Sequence, residues 1–357
     1  MRIGIVSYWF NRGQGTVGRY IRSIFDGLGH ETFVLARPTQ DRFDLPRFID
    51  TSDVWSQAGV TFGSHFDIPE EEYISWARTN ALDVAFFDQN YQFDGISALK
   101  KMGIKTIGRF VWESFSKEHI EPAKQAFSVI YSLTKCEQAR YADFGIKSPW
   151  VQWGCHPELT GIETQKTKDA VYFFYPGGYL SKRKPTRTVI EAFSKVASSD
   201  ARLIIKAQTK KRQSDHIGNF NDLDPRIEVI SGDLPSAEYY RLFSSCHVCL
   251  APSRWEGLGL HLYEALSFGL PTISNDDPPM NEIIRHGYNG LLVSSHQIGY
   301  TKSGVPSYEP DRDDLSRAIS DLSDCGIIDE LSRNTKEVCE ALSWEKTTRQ
   351  FKDLLDY

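Results

Sequence analysis

Two carboxylates, Glu256 and Glu264, stand on either side of a glycine-punctuated helix start in RWEGLGLHLYEALSFG (254–269). The preceding HVCLAPS (247–253) reads as a short apolar strand, and Gly269 and Pro271 stop the helix before a second strand, PTISN. In such a strand–loop–helix–strand unit, the loop at the strand's carboxyl end faces a ligand crevice. The helix amino terminus there offers unpaired N–H groups and a positive dipole end to an anion. Gly257 and Gly259 remove side chains from the loop, so the backbone of Gly257, Leu258, Gly259 and Leu260 is open to a diphosphate. An ionised carboxylate only accepts hydrogen bonds, which suits it to a pair of sugar hydroxyls. Glu264 in the second turn would hold one diol and Glu256 on the loop another, with the phosphates between them: a nucleotide sugar. The plainer reading makes Glu256 a first-turn acid favoured by the dipole and Glu264 a solvated helix position.

A second element, GGYLSKRKP (177–185), puts Lys182, Arg183 and Lys184 just before the helical TRTVIEAF. Cations there suit a departing diphosphate, although charge runs are also commonly just solvated. A third, Gly13-Gln-Gly15-Thr-Val-Gly18, is a literal G-x-G-x-x-G and raises a rival reading, an NADP-dependent oxidoreductase. Two details count against it. Tyr8 to Arg12 separate the strand IGIVS from the first glycine, and Arg37 follows the second strand where an acid would hold an NAD ribose.

RWEGLGLHLYEALSFGLPTISND followed by NEIIRHGYNGLLV resembles the signature of the retaining glycosyltransferases of GT-B fold (group 1, family 4-like), Glu256 and Glu264 matching the glutamates of their E-x7-E motif. The resemblance extends through YFFYPGGYLSKRKPTRTVIEAF, ARLIIKAQ, RIEVISGDLPSAEYYRLFSSC and SWEKTTRQFKDLL, and so covers the carboxyl half; the amino half matches only in outline. It implies an α/β GT-B fold, two Rossmann-like doubly wound domains facing across a cleft. It also implies hexose transfer from a UDP or GDP sugar to a saccharide or glycoconjugate hydroxyl with retention, in polysaccharide biosynthesis, with no metal or other cofactor. In that family an arginine and a lysine six residues later grip the diphosphate. Lys184 takes the lysine's place and Gly178 stands at the arginine's, so Arg183 or Lys182 would compensate. The loop with Gly15 would face the donor phosphates. The family's histidine opposite the reacting sugar is absent from the matching GRFVWESF, leaving Glu113 for a polar role there and Asp88 as another candidate. A nucleotide-sugar epimerase and a non-catalytic sugar-binding relative remain as alternatives on the same fold.

The 357 residues, 40% of them hydrophobic, exceed one typical core. Three segments are expected: an acceptor-side domain at 1–160, a nucleotide-sugar domain at 161–342, and a helix at 343–357 returning to the first domain. The net charge of −6 and pI of 5.9 argue against nucleic acid. Residues 1–160 hold 17 basic and 19 acidic side chains, so no basic membrane-binding face is evident. Without an apolar run of ~18 residues or a secretory leader, a cytoplasmic location is expected. Cys246-His-Val-Cys249 lacks a second ligand pair, and the D-x-D strings Asp222-Leu-Asp224 and Asp311-Arg-Asp313 read as turns, not metal ligands.

Alternating patterns place strands near 2–7, 31–36, 82–88, 104–110, 128–131 and 149–153, then 171–176, 202–208, 226–231, 247–252, 271–275 and 291–293. Residues 154–170 read as a linker and 39–80 as a mixed insertion.

Overall fold

The computed structural model describes residues 1–39, 48–162, 165–208, 217–218 and 222–357; parts of the expected insertion (40–47) and linker (163–164) lie outside them. The chain divides into one unit of Met1–Gln152 with Glu345–Tyr357 and another of Trp153–Trp344.

The first unit is built on a parallel sheet of β1 (Arg2–Tyr8), β2 (Glu31–Arg37), β3 (Val60–Phe62), β4 (Val84–Asp88), β5 (Lys105–Arg109) and β6 (Val129–Ile130), in the order β3-β2-β1-β4-β5-β6. Strands such as β1 and β4 read as unbroken apolar runs because a parallel sheet is covered on both faces. The helix Gly13–Gly27 buries Val17, Tyr20, Ile21, Ile24 and Phe25, the spacing of one helical face. In the helix Trp344–Asp353, Phe351 packs on Phe25, Phe86 and Tyr131, and Thr347 Oγ1 donates to the Gln152 carbonyl at 2.8 Å.

Two expectations change here. Residues 149–153 form no strand, only one bridge between Trp150 and Ser132, because Pro149 has no N–H for a ladder. Within the presumed insertion, β3 pairs with β2; three residues, with Phe62 exposed, left too short an apolar pattern to read.

The second unit repeats the topology with β7 (Val171–Gly178), β8 (Ala201–Ala207), β9 (Ile227–Ser231), β10 (Val248–Leu250), β11 (Thr272–Asn275) and β12 (Gly290–Val293), ordered β12-β11-β10-β7-β8-β9. In each sheet the first and fourth strands are neighbours and the order runs outward from them, the doubly wound Rossmann arrangement. Connections after those two strands leave in opposite directions and open a crevice at their carboxyl ends. An antiparallel hairpin, β13 (Ser295–Tyr300) and β14 (Pro306–Pro310), follows β12 and was not expected. Among the described residues no helix is long and apolar enough to cross a membrane.

Candidate active site

The crevice of the second unit lies where β7 and β10 pair, and the loops following both strands carry the charged residues. Lys184, 4% exposed, donates from Nζ to Ser253 Oγ at 2.8 Å and to Glu256 Oε2 at 3.1 Å. Arg183 Nη1 donates to Glu256 Oε1 at 2.9 Å, and the Gly257 N–H reaches the same oxygen at 3.2 Å. One buried carboxylate thus holds two cations. Burial alone would raise the Glu256 carboxyl, but the Arg183 and Lys184 cations prevail and hold it far below the usual carboxylate range. Burial lowers the Lys184 ammonium from its ordinary value, with Glu256 opposing and Arg183 adding.

Arg254 fixes the cation loop from behind. Its Nη1 donates to the Lys182 carbonyl at 2.7 Å and the Lys184 carbonyl at 3.3 Å, and its backbone N–H to the Arg183 carbonyl at 2.8 Å. Three successive carbonyls therefore hang on one residue. Arg254 Nε in turn pairs with Glu309 on β14, whose other oxygen accepts from Thr188. The hairpin missed in the sequence is the far anchor of the basic loop.

The helix Leu260–Ser267 starts beside this cluster. Its N-cap, Gly259, has φ +73, and a Cβ there would meet Leu262 Cδ1 at 3.0 Å and Glu256 Cγ at 3.4 Å, so only glycine turns the chain into the helix at this point. The Leu262 N–H donates to the Gly259 carbonyl at 2.8 Å, whereas the N–H groups of Leu260 and His261 come before any intrahelical acceptor and carry the dipole's positive end. One turn on, Glu264 Oε2 accepts from the Tyr239 hydroxyl at 3.3 Å, and burial pushes its carboxyl up to about 7, with Tyr239 opposing. Gly178, at the end of β7, has φ +56, a left-handed conformation in which the family's arginine would be strained.

The structure therefore brings Glu256, Lys184, Arg183, Gly257, Leu258, Gly259 and Leu260 into one cluster, with Glu264 a helical turn away. Gly15 and Glu113 belong to the other unit. Gly15 is buried inside the helix Gly13–Gly27, where a side chain would run into the Phe10 carbonyl; Glu113 lies on the 3-10 turn Trp112–Ser114 after β5. Asp88 is locked in a buried network, accepting from Arg109 Nη1 at 3.1 Å while Arg109 Nε holds Glu137 at 3.0 Å. In the D-x-D strings, Asp224 pairs with Arg226, and Asp311 caps the helix Arg312–Asp321. Cys246 and Cys249 are buried, and burial raises both thiols.

Sequence reasoning missed Ser253, Tyr239, His261, Arg254 and Glu309. His261 stood inside the quoted motif, and a histidine between Leu260 and Leu262 was a signal. The partners Arg254–Glu309 and Tyr239–Glu264 are joined only by the fold.

Residues 160–335 match the family model described as Glycosyl transferases group 1. The chain is 34% identical over 123 residues to the GtfA subunit of a UDP-N-acetylglucosamine–peptide N-acetylglucosaminyltransferase from Streptococcus pneumoniae, covering 32% of this chain and 23% of that protein. It is 35% identical over 75 residues, 21% of each chain, to an uncharacterized 41.2 kDa protein in the cps region of Klebsiella pneumoniae. The match thus spans about a fifth to a quarter of the length of these relatives. Among solved structures, Anabaena Alr3699/HepE in complex with UDP-glucose superposes with a TM-score of 0.75 at 14% identity, over 100% of this chain and 99% of that one. Sucrose-phosphate synthase from Thermosynechococcus elongatus does so with a TM-score of 0.74 at 16% identity, over 100% and 98%. At these identities the likeness is one of fold, the two-domain GT-B architecture.

Proposed function

We propose that this chain, whose residues 160–335 match the group 1 glycosyl transferases, moves a hexose from a nucleoside diphosphate sugar to a saccharide hydroxyl with retention. The observation that carries the proposal is the Arg183–Glu256–Lys184 cluster, its glutamate and lysine buried, beside the start of the helix bearing Glu264. The diphosphate sits on the first-turn N–H groups and draws Arg183 and Lys184 onto its oxygens. That exchange frees Glu256, whose two oxygens otherwise hold protein donors, to accept a hydroxyl of the transferred sugar. Glu264 takes the ribose diol. A uridine diphosphate donor is favoured by the likeness to HepE, a protein seen with UDP-glucose.

As the glycosidic bond breaks, negative charge builds on the departing phosphate, and Lys184 and Arg183 stabilise it in place of a metal ion. A phosphate oxygen accepts the acceptor's proton on the same face, which gives retention without a dedicated carboxylate base. Thermal-shift measurements with UDP, GDP, ADP, NAD and NADP test the reading. A ligand at 100 times its Kd adds ~2.7 kcal/mol, a shift of several degrees. UDP or GDP should raise the midpoint; stabilisation by NADP alone would revive the oxidoreductase.

A further inference from the structure

His261 is the second residue of the helix Leu260–Ser267, whose N-cap, Gly259, lies against Glu256 of the cation cluster. Its Nε2 is sealed from solvent and has no hydrogen-bond partner among the described residues. Its flanking residues, Leu260 and Leu262, are apolar, and a leucine at this position would leave no polar atom stranded. Burial lowers the imidazole pKa to about 3, Lys184 and Arg183 adding to the effect and Glu256 opposing it, so the ring is neutral. A neutral ring does not repel the two cations, and in the tautomer protonated on Nε2 it adds an N–H donor beside theirs. Such a donor, among cations and at a helix amino terminus, calls for an anion.

We propose that His261 is a ligand of the donor's diphosphate, donating from Nε2–H to a phosphoryl oxygen alongside Lys184 and Arg183. The proposal rests on the donor reading above and adds a contact specific to this chain. The orphaned nitrogen is then a cost carried by the ligand-free protein and recovered on binding, an exchange of stability for affinity.

The test is calorimetric titration of UDP and NMR titration of uridine with wild type, His261→Leu and His261→Gln, together with melting curves without ligand. His261→Leu should bind UDP about 10- to 100-fold more weakly, as for loss of a hydrogen bond to a charged group, and uridine as before. It should melt at or above the wild-type temperature. His261→Gln, which retains an N–H donor at similar reach, should recover most of the affinity. UDP affinity unchanged in His261→Leu would overturn the assignment, as would parallel loss of uridine and UDP with a lowered melting temperature. A wild type that binds uridine but not UDP or GDP would overturn the donor reading itself, and with it this one.

Discussion

Lys184 Nζ and Glu256 Oε2 lie 3.1 Å apart, with both side chains almost wholly withdrawn from solvent. Neither charge is tolerable there alone, and Arg183 on the other carboxylate oxygen leaves the trio one positive charge in excess. The cluster is therefore poised to attract an anion, with the carboxylate holding the two cations in place until it arrives.

Replacing Glu256 separates its two roles. Glu256→Ala removes the carboxylate that pairs with the buried Lys184, which should destabilise the ligand-free protein by ~3–5 kcal/mol. Free UDP should still bind at least as tightly, since it supplies the missing negative charge, while turnover falls by about two orders of magnitude with loss of a positioned polar contact. Melting curves, calorimetry and initial rates check the three parts separately. UDP affinity lost in a folded variant would show that Glu256 does not act in this way.

Lys184→Ala should depress turnover more than donor affinity, because charge on the leaving phosphate is greatest in the transition state. Arg183→Ala should be milder, its side chain being 36% exposed. Wild-type rates should be indifferent to EDTA. Activity lost to EDTA and restored by magnesium would overturn metal-free cationic stabilisation.

Glu264 gives a pH dependence with a definite sign. With its carboxyl near 7 in the empty site, a ribose diol that needs the ionised form binds fully above that pH, and affinity falls about tenfold per unit well below it. Because the folded value lies above the unfolded one, the same group stabilises the ligand-free fold at low pH and loses that contribution as pH rises through 7. Calorimetry from pH 5.5 to 8.5 checks the first effect. Glu264→Gln should flatten the profile in this window, and an equal slope in that variant would assign the titration elsewhere.

Arg254 and Glu309 act on the chemistry only through the cation loop. Arg254→Lys, which keeps the charge but loses the fork across the Lys182 and Lys184 carbonyls, should lower kcat/KM by about 10-fold or more. Glu309→Gln should act in the same direction. The double variant should lose less than the sum of the two; full additivity would mean that the Arg254–Glu309 pair does not hold the loop.

Much of the frame was legible because parallel strands, covered on both faces, print as unbroken apolar runs: IGIV in β1, VAFF in β4 and VCL in β10. The hairpin was not, since His296, Gln297 and Ile298 are exposed and no buried face imposes alternation on β13. At 149–153 the opposite error arose: Val151, Gln152 and Trp153 are buried, yet one bridge to Ser132 that Pro149 cannot extend makes no strand. At the site, glutamates and cations announced themselves by type and spacing. What spacing could not reveal was pairing. Whether Arg183 or Lys182 would stand beside Lys184 depended on which side chain turns inward, and in the structure it is Arg183 that meets Glu256, while Lys182 offers its carbonyl to Arg254. Tyr239 and Glu309 are far from their partners in sequence, so only the packed sheet joins them.

The proposed chemistry requires the helix with Glu264 to hold the nucleoside diphosphate. The most direct measurement is calorimetric titration of UDP into wild type and Glu264→Ala in the presence of EDTA. Loss of hydrogen bonds to a charged acceptor costs ~1.5–3 kcal/mol, so UDP should bind wild type without metal and the variant about 10- to 150-fold more weakly. Equal affinity in a folded Glu264→Ala protein would contradict that requirement.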